Sequence, residues 1–301
     1  MKIFHARAEY CYSTWDAPDL IISDGAYGLQ GRGGFDGDVR HSLSEWYAPH
    51  IEAWSRYSKP STTLWFWNRE IGWAEIHPKL CAAGWMYRSC CVWNKGISHV
   101  AGRTNTKTLR TFPVSTEICV HYVRDDLSVR TYLRNEWKRS GLPMSRANLA
   151  CGVKNAATRK YLTDDHLWYM PPKREYDMMA AYLNEHGAKE GKPYLTEAWE
   201  RLPSAASHFD CPMGKTNVWN EPPVRGKDRW KNAQNQKPDV LIEMLVQTSS
   251  AVSDVVWEPF GGTFSIVRAC EKLGRNCFAA ESDLGVYHEF RNRYGESSCP
   301  S

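Results

Sequence analysis

Hydrophobic and polar positions along the chain follow two alternating patterns. Short, mainly apolar runs predict buried strands, because such runs are typical of the inner strands of a parallel sheet. These runs cover residues 2–6, 20–23, 62–67, 85–93, 116–123, 255–257 and 276–280. Apolar residues at i, i+3 and i+4 spacing predict helices over residues 41–57, 68–83, 239–247 and 264–273. The alternation predicts an α/β protein built on a largely parallel sheet.

Residues 127–210 depart from this alternation. Helical spacing and basic residues predict helices at 129–138, 145–151, 155–162 and 173–184, with Gly152 in a turn between the two short ones. The sequence therefore predicts three regions, 1–126, 127–210 and 211–301, of which the middle one is helical.

Composition narrows the class of protein. With 301 residues and 42% apolar residues, the chain can form one large α/β domain and a small accessory one. The net charge of +4 allows a polyanionic partner without requiring one. The ten cysteines form no CxxC pair, which predicts reduced thiols in a cytoplasmic protein and no metal site. No apolar run is long enough to predict a signal core or a membrane span.

Residues 254–283 combine a strand, a glycine turn, a helix and a second strand. Gly261 and Gly262 follow the first strand, Gly274 is placed to end the helix, and Glu281 closes the second strand. This is the order of a nucleotide-binding half of a doubly wound sheet. There, glycines let the backbone approach a ligand and the acid accepts hydrogen bonds from ribose hydroxyls. The turn is not GxGxxG, and no Walker lysine follows it.

The glycine turn resembles the S-adenosylmethionine site of DNA amino-methyltransferases, whose pattern is D-P-F-x-G-x-G-T. Residues 258–265 read EPFGGTFS, so Glu258 replaces Asp, Phe264 takes the place of the last glycine and Ser265 replaces Thr. The residues 236–238, Gln-Lys-Pro, also resemble a family motif that opens a helix beside the methionine end of the cofactor. The resemblance implies a Rossmann-like methyltransferase fold with S-adenosylmethionine as cofactor. The implied cofactor contacts are Phe260, Gly261, Gly262, Thr263, Ser265, Glu281, Gln236, Lys237 and Asp24.

An acid and an aromatic residue, Asp24 and Tyr27, follow the strand 20–23. They resemble the ends of the family's catalytic tetrapeptide, (Asp/Asn/Ser)-Pro-Pro-(Tyr/Phe/Trp), with Gly25 and Ala26 replacing the prolines. The resemblance implies that Tyr27 stacks on a base flipped out of the duplex. Hydrogen bonds from the amino group of that base to Asp24 and to a nearby backbone carbonyl, at Gly25, would favour a pyramidal, nucleophilic nitrogen. Without the glycine turn, a helix-capping Asp24 and a core Tyr27 would be the simpler interpretation.

Two polar loops carry candidate phosphate contacts. Residues 28–40 are too glycine-rich for regular structure, and residues 94–111 form a second polar stretch. The stretch 28–40 could be an ordinary surface loop, or a mobile loop that closes over a flipped base with Arg32 and Arg40 on phosphates. The candidate contacts are Arg32, Arg40, Arg103, Lys107 and Arg110.

The two short helices around Gly152 resemble a helix-turn-helix. The residues that would face DNA are Lys154, Asn155, Thr158, Arg159 and Lys160. Among them, Asn155 and Arg159 are suitable base readers. A solvated basic helical hairpin explains the same sequence nearly as well.

The order of the motifs is more specific than any one of them. Tetrapeptide, further strands, helical insert, Gln-Lys-Pro and glycine turn resemble the circularly permuted, β-class arrangement of DNA amino-methyltransferases. The resemblance implies a catalytic half at 1–126, target recognition at 127–210 and a cofactor half at 211–301. It also implies that the strand 2–6 pairs beside the strand that ends at Glu281.

The sequence therefore predicts a site-specific DNA methyltransferase that acts on an exocyclic amine of double-stranded DNA, in a restriction–modification or phage–host modification system. Adenine N6 is slightly favoured over cytosine N4 because the tetrapeptide begins with Asp24. A homodimer and a cognate restriction endonuclease are compatible with the sequence. No Pro-Cys dipeptide is present, which disfavours cytosine C5 chemistry. Two alternatives stay open: methylation of RNA or a protein amide, and a non-catalytic DNA-binding module with a degenerate cofactor fold.

Overall fold

The computed structural model describes residues 1–28, 42–100, 107, 109–124, 127–164, 168–202, 208–230 and 236–295. The chain divides into two compact units, one of Met1–Val123 with His208–Ser301 and one of Arg124–Ser207. We call them the sheet unit and the helical unit.

The described strands are β1 (Lys2–His5), β2 (Leu20–Ser23), β3 (Thr63–Asn68), β4 (Trp85–Asn94), β5 (Thr116–Arg124), β6 (Val218–Trp219), β7 (Val255–Glu258) and β8 (Asn276–Glu281). The described α-helices are α1 (Leu43–Tyr57), α2 (Glu70–Ala82), α3 (Leu127–Arg139), α4 (Arg146–Ala150), α5 (Ala156–Tyr161), α6 (Lys173–His186), α7 (Asp239–Ser249), α8 (Ser265–Leu273) and α9 (Leu284–Tyr294). None of the described helices combines the length and the apolar character needed to cross a bilayer.

The strands of the described residues form one eight-stranded sheet in the order β1-β8-β7-β2-β3-β5-β4-β6. Pairing is parallel from β1 through β8, β7 and β2 to β3, and β5 is antiparallel to β3. His5 pairs with Glu281, as predicted for the first strand. Because the parallel strands end at one edge, Ser23, Glu258 and Glu281 all lie there. This is the edge at which open α/β sheets bind ligands.

Neighbouring residues of the central strands face opposite sides of the sheet, as the two-residue period of a strand requires. Ile22, Val256 and Ala279 pack in one hydrophobic core with residues of α7 and α8. Ile21, Trp257 and Phe278 pack in a second core with residues of α1 and α2. Helices therefore cover both faces of the sheet, which explains why these strands read as continuous apolar runs.

The helical unit has a hydrophobic core of its own. Its buried residues come from all four of its α-helices and include Val129, Leu133, Trp137, Ala147, Ala157 and Tyr176. The α4–Gly152–α5 segment matches the predicted pair of short helices, and Gly152 has a φ of 66°, in the left-handed region. Glycine adopts that conformation without a steric penalty.

The predicted strands and helices are present, with ends shifted by a few residues. The structure adds β6 and α9, which the sequence pattern did not indicate. β6 has only two residues, too few to show a period. In α9 only Val286 and Phe290 are buried, so its apolar face is narrow.

Candidate active site

The carboxylate of Asp24 lies just beyond the end of β2 and is bound by a buried lysine. The ammonium of Lys237 donates to both carboxylate oxygens of Asp24 at 2.8 Å. The side chain of Lys237 is 2% exposed and that of Asp24 is 26% exposed. Asp24 is therefore the member of this pair that can reach a ligand. Lys237, predicted as a cofactor contact, binds the carboxylate of Asp24 in this structure.

A second carboxylate, Glu117 at the start of β5, completes a buried charge cluster. Its Oε2 atom lies 3.4 Å from Nζ of Lys237 and accepts a hydrogen bond from Nε1 of Trp67 at 2.9 Å. Its Oε1 atom pairs with the ammonium of Lys95. Neither Glu117 nor Lys95 was predicted as a site residue. The available signal was a charged residue at the start of the apolar run 116–123.

Opposite charges keep Lys237 and Glu117 ionised. Burial lowers the pKa of Lys237, but the carboxylates of Asp24 and Glu117 outweigh burial and raise it overall. Burial raises the pKa of Glu117, but Lys237 and Lys95 outweigh burial and lower it overall. Two carboxylates thus face two ammonium groups, so no charge in the cluster lacks a counterion.

The hydroxyl of Tyr27 lies within hydrogen-bonding distance of both carboxylates. It lies 2.8 Å from Oδ1 of Asp24 and 3.1 Å from Oε2 of Glu117. Burial, followed by the charges of Asp24 and Glu117, raises the pKa of this hydroxyl well above its usual value. The hydroxyl therefore stays protonated and acts as a donor. Tyr27 as a whole residue is 8% exposed, so little of its ring is accessible in this structure.

The residues that replace the proline pair fit tightly against the glycine turn. A Cβ atom on Gly25 would lie 2.7 Å from the ring of Phe260 and 2.7 Å from the hydroxyl of Tyr47. Any larger residue, proline included, would displace these rings. The carbonyl of Ala26 accepts hydrogen bonds from the hydroxyl of Tyr47 at 3.1 Å and from Nδ2 of Asn68 at 2.9 Å. The glycine thus lets Phe260 bring the turn into contact with the tetrapeptide.

The glycine turn between β7 and α8 is closed by the acid at the end of β8. Oε2 of Glu281 accepts a hydrogen bond from the amide of Gly262 at 2.7 Å, and Oε1 accepts one from the amide of Asp283 at 2.7 Å. Burial is the main cause of the raised pKa of Glu281. A Cβ atom on Gly262 would meet no atom within 4 Å, so open space lies beside the turn. An acid at a strand end next to such a space fits a nucleoside ligand.

Two of the three departures from the family's glycine pattern, those at Glu258 and Phe264, have structural explanations. Phe264 has a φ of 51° and a ψ of 40°, the left-handed conformation that a glycine would supply. Its ring is buried, 4.5 Å from that of Phe290. The carboxyl group of Glu258 accepts hydrogen bonds from the amides of Ile266 at 3.2 Å and Val267 at 3.0 Å. Glu258 thus provides an acceptor for the backbone amides at the start of α8, because Phe264 offers no capping side chain.

The remaining predicted cofactor contacts are Thr263, Ser265 and Gln236. Thr263 and Ser265 are buried at the start of α8. Oε1 of Gln236 accepts a hydrogen bond from the amide of Trp230 at 3.1 Å, so its side chain is already engaged within the protein.

The predicted DNA contacts fall into three groups. Lys154, Asn155, Arg159 and Lys160 are exposed in the helical unit, as the prediction requires. Thr158 differs, because it is half-buried and its hydroxyl donates to the carbonyl of Met144 at 2.9 Å. Lys107 and Arg110 are exposed in the segment that leads to β5. The predicted contacts Arg32, Arg40 and Arg103 lie outside the described residues.

Metal ligation has no support in the described part of the chain. No group of three or more His, Cys, Asp or Glu residues is arranged there to hold a metal ion.

Comparison with known proteins gives related sequences and folds. The Type II methyltransferase M.HindIII of Haemophilus influenzae is 23% identical over 175 residues, which is 53% of this chain and 53% of that protein. The chain thus spans about half the length of this relative, and less of the two other curated relatives it matches.

Two solved structures share the fold. The M1.HpyAVI–SAM complex is 15% identical, with a TM-score of 0.55 over 97% of this chain and 98% of that chain. The cytosine-N4-specific PvuII DNA methyltransferase is 10% identical, with a TM-score of 0.54 over 99% of this chain and 87% of that chain.

The DNA methylase family of N6 and N4 enzymes matches residues 19–291, from the strand before the tetrapeptide to the last helix. The chain therefore belongs to this family of DNA amino-methyltransferases, whose methyl donor is S-adenosylmethionine.

Proposed function

We propose that this protein transfers a methyl group from S-adenosylmethionine to the exocyclic amine of a base flipped out of double-stranded DNA. The observation that carries the proposal is the contact of Phe260 with Gly25, because it joins the cofactor turn to the residues beside Asp24. A methyl donor held on the turn and an amine held at Asp24 would then be neighbours. Such proximity supplies a large part of the rate enhancement in group transfer.

The residues at the end of β2 orient the amine. An exocyclic amine is a poor nucleophile, because its lone pair is conjugated with the ring. Asp24 accepts one N–H and the carbonyl of Gly25 accepts the other, since the carbonyl of Ala26 already has two donors. This pair of acceptors favours a pyramidal nitrogen with its lone pair directed at the methyl carbon. Tyr27 stacks on the base, which requires that DNA binding uncover one face of its ring.

Residues of the glycine turn hold the methyl donor. S-adenosylmethionine, when bound, supplies a methyl group on a sulfonium, which leaves as a neutral thioether. Glu281 accepts hydrogen bonds from the ribose hydroxyls, and the backbone of Gly261 and Gly262 lets the ligand approach. Thr263 and Ser265 lie at the start of α8 beside it. The amine nitrogen forms the new C–N bond, the C–S bond breaks, and the nitrogen then loses a proton to water.

We further propose that DNA is bound by Lys154, Asn155, Arg159 and Lys160 of the helical unit and by Lys107 and Arg110 of the sheet unit. Exposure and positive charge support these contacts. Adenine N6 is the favoured target by the resemblance of Asp24 to the adenine-type tetrapeptide. A place in a restriction–modification system belongs to the same proposal.

A second candidate is a DNA-binding member of the family that has lost catalysis. Two observations support it. The carboxylate of Asp24 already accepts hydrogen bonds from Lys237 and Tyr27. Tyr27 is also buried, so little of its ring is accessible.

One assay separates the candidates. Unmethylated genomic DNA is incubated with the protein and labelled S-adenosylmethionine, and the digested nucleosides are examined by mass spectrometry. N6-methyladenine or N4-methylcytosine would support the enzyme and name its base. Cofactor and DNA binding without any labelled nucleoside would support the second candidate. Label in RNA or protein instead of DNA would mean that RNA or protein is the substrate.

A further inference from the structure

We propose that Glu117 is a positioning residue for Asp24: it takes over the hydroxyl of Tyr27 and retains Lys237 when Asp24 turns to the substrate amine. This inference rests on the proposed function, because it assigns Asp24 to the amine. Neither the tetrapeptide nor the glycine turn contains Glu117, which lies on β5, at the same edge of the sheet.

The hydroxyl of Tyr27 carries one proton and has two acceptors within reach. It can donate to Oδ1 of Asp24 at 2.8 Å or to Oε2 of Glu117 at 3.1 Å, but not to both at once. A rotation of the O–H bond changes the acceptor without moving a heavy atom. Transfer of this bond to Glu117 frees a lone pair on Asp24 for an N–H of the base. Because Glu117 is charged, the buried hydroxyl of Tyr27 keeps a strong hydrogen bond after the transfer.

Lys237 needs the same alternative partner. Its ammonium is buried and has three N–H donors, two of which bind Asp24 while Oε2 of Glu117 lies 3.4 Å away. If Asp24 reorients, an ammonium without a nearby carboxylate would be costly in this environment. Glu117 keeps a counterion beside Lys237 during that movement.

Glu117 is also the better anchored of the two carboxylates. The indole of Trp67 and the ammonium of Lys95 fix its two oxygens, and its side chain is 5% exposed against 26% for Asp24. The cluster thus has one fixed carboxylate and one that can reach outward, which is the arrangement that this role requires.

The competing explanation is that Glu117 only balances the charges of Lys95 and Lys237. Glutamine substitution distinguishes the roles because the four groups that contact Glu117 in these interactions are donors: Tyr27, Trp67, Lys95 and Lys237. The amide NH2 of Glu117→Gln would face a donor in either orientation. The double variant Glu117→Leu/Lys95→Met removes one charge of each sign, which restores charge balance, and leaves Tyr27 no acceptor at position 117.

The experiment measures methyl transfer, S-adenosylmethionine binding by calorimetry, and thermal unfolding for these variants. We expect Glu117→Gln to lower kcat about 10²-fold, as for a misplaced reacting group, with KM for DNA and cofactor affinity changed less than about twofold. Melting temperature should fall in Glu117→Gln and recover in the double variant, whereas kcat should stay low. Recovery of kcat together with melting temperature would reduce Glu117 to a counterion and overturn the proposal.

A double-mutant cycle with Tyr27→Phe tests the hydroxyl transfer itself. Phenylalanine keeps the ring but removes the O–H, so no proton needs a second acceptor. The effect of Glu117→Gln on kcat should therefore be smaller in the Tyr27→Phe background, and equal effects in both backgrounds would overturn the transfer. Wild-type turnover is the reference: no methylation of DNA by wild-type protein would reject the proposed function itself, whereas wild-type turnover with unchanged kcat in Glu117→Gln would reject only this inference.

Discussion

Asp24 is the residue on which the proposed chemistry depends most directly. In Asp24→Ala the amine loses a charged acceptor, and we expect kcat to fall at least about 10²–10³-fold, the size seen when a transition-state hydrogen bond is removed. Binding of S-adenosylmethionine, measured by calorimetry, should be largely retained. Asp16→Ala is the matched control, since Asp16 is an exposed acid that precedes the same strand. Equal loss of cofactor binding and turnover would instead make Asp24 a structural residue.

Phe264 gives a second test at the residue level, because it combines a left-handed backbone with a buried ring. Removal of the ring should cost about 3–5 kcal/mol of unfolding free energy. Glycine also removes the steric penalty of the left-handed conformation, so we expect Phe264→Gly to be about 1–2 kcal/mol more stable than Phe264→Ala in urea denaturation.

The same pair of substitutions at Ile266, inside α8, should show the opposite order, because glycine is less favourable than alanine in a helix. Identical ranking at both positions would mean that the backbone at Phe264 is not strained.

At the level of a single helix, Glu258 at the start of α8 should make the unfolding free energy depend on pH. Burial raises the pKa of Glu258 to about 8, although the amides of Ile266 and Val267 oppose that shift. The folded state therefore binds a proton more tightly than the unfolded state, and this stabilisation is complete below the ordinary pKa of glutamate and lost as pH rises through about 8. In Glu258→Gln the decline of the unfolding free energy between about pH 5 and about pH 8 should be shallower.

The urea midpoint at several pH values measures this decline. Glu271→Gln, an exposed glutamate on the same helix, should follow the wild-type profile. A profile of Glu258→Gln that runs parallel to wild type would show that Glu258 is ionised when folded.

The short helix α5 carries the proposed base contacts. We expect Arg159→Ala to weaken binding to a cognate duplex by about 1–3 kcal/mol if Arg159 reads a base. The measurement is fluorescence anisotropy at fixed salt, on methylatable and on unrelated duplexes. Arg174→Ala removes an equally exposed arginine of the helical unit and is the control. A loss that is equal on both duplexes would assign Arg159 to the phosphates, and no loss would return α5 to a solvated basic helix.

Elements were predictable from the sequence where a strong period or a buried apolar run decided them. The strands β2, β7 and β8 and the helix α8 belong to this group, and Gly274 ends α8 in the left-handed conformation as predicted. The strand β6 was not predictable, because it has only two residues and exists by pairing with β4. A pattern within one segment carries no information about such distant pairing.

The candidate site was predictable in part for the same reason. Asp24, Gly262 and Glu281 belong to local motifs, and resemblance to a family identified them. The cluster of Asp24, Glu117 and Lys237 joins residues separated by 93 and 120 positions, which only the sheet brings together. Gly25 likewise looked like a weakened motif until the ring of Phe260 explained it.

For the whole molecule, cofactor binding should appear as stabilisation of the intact chain. A ligand that binds only the folded state at about 100 times its Kd adds about 2.7 kcal/mol. This corresponds to a rise in melting temperature of about 4 °C for a chain of about 300 residues, at an unfolding entropy of about 2.1 cal/mol/K per residue. Glu281 is proposed to bind the ribose, so Glu281→Ala should lose most of this rise relative to its own ligand-free melting temperature.

The comparison within each variant is necessary because Glu281 also closes the glycine turn on Gly262. Its loss lowers the ligand-free melting temperature without bearing on the cofactor. Glu271→Ala serves as the matched acid and should keep the full rise. If Glu281→Ala kept it as well, the ribose would be bound elsewhere, and Glu281 would be left with the structural role of tying the turn to β8.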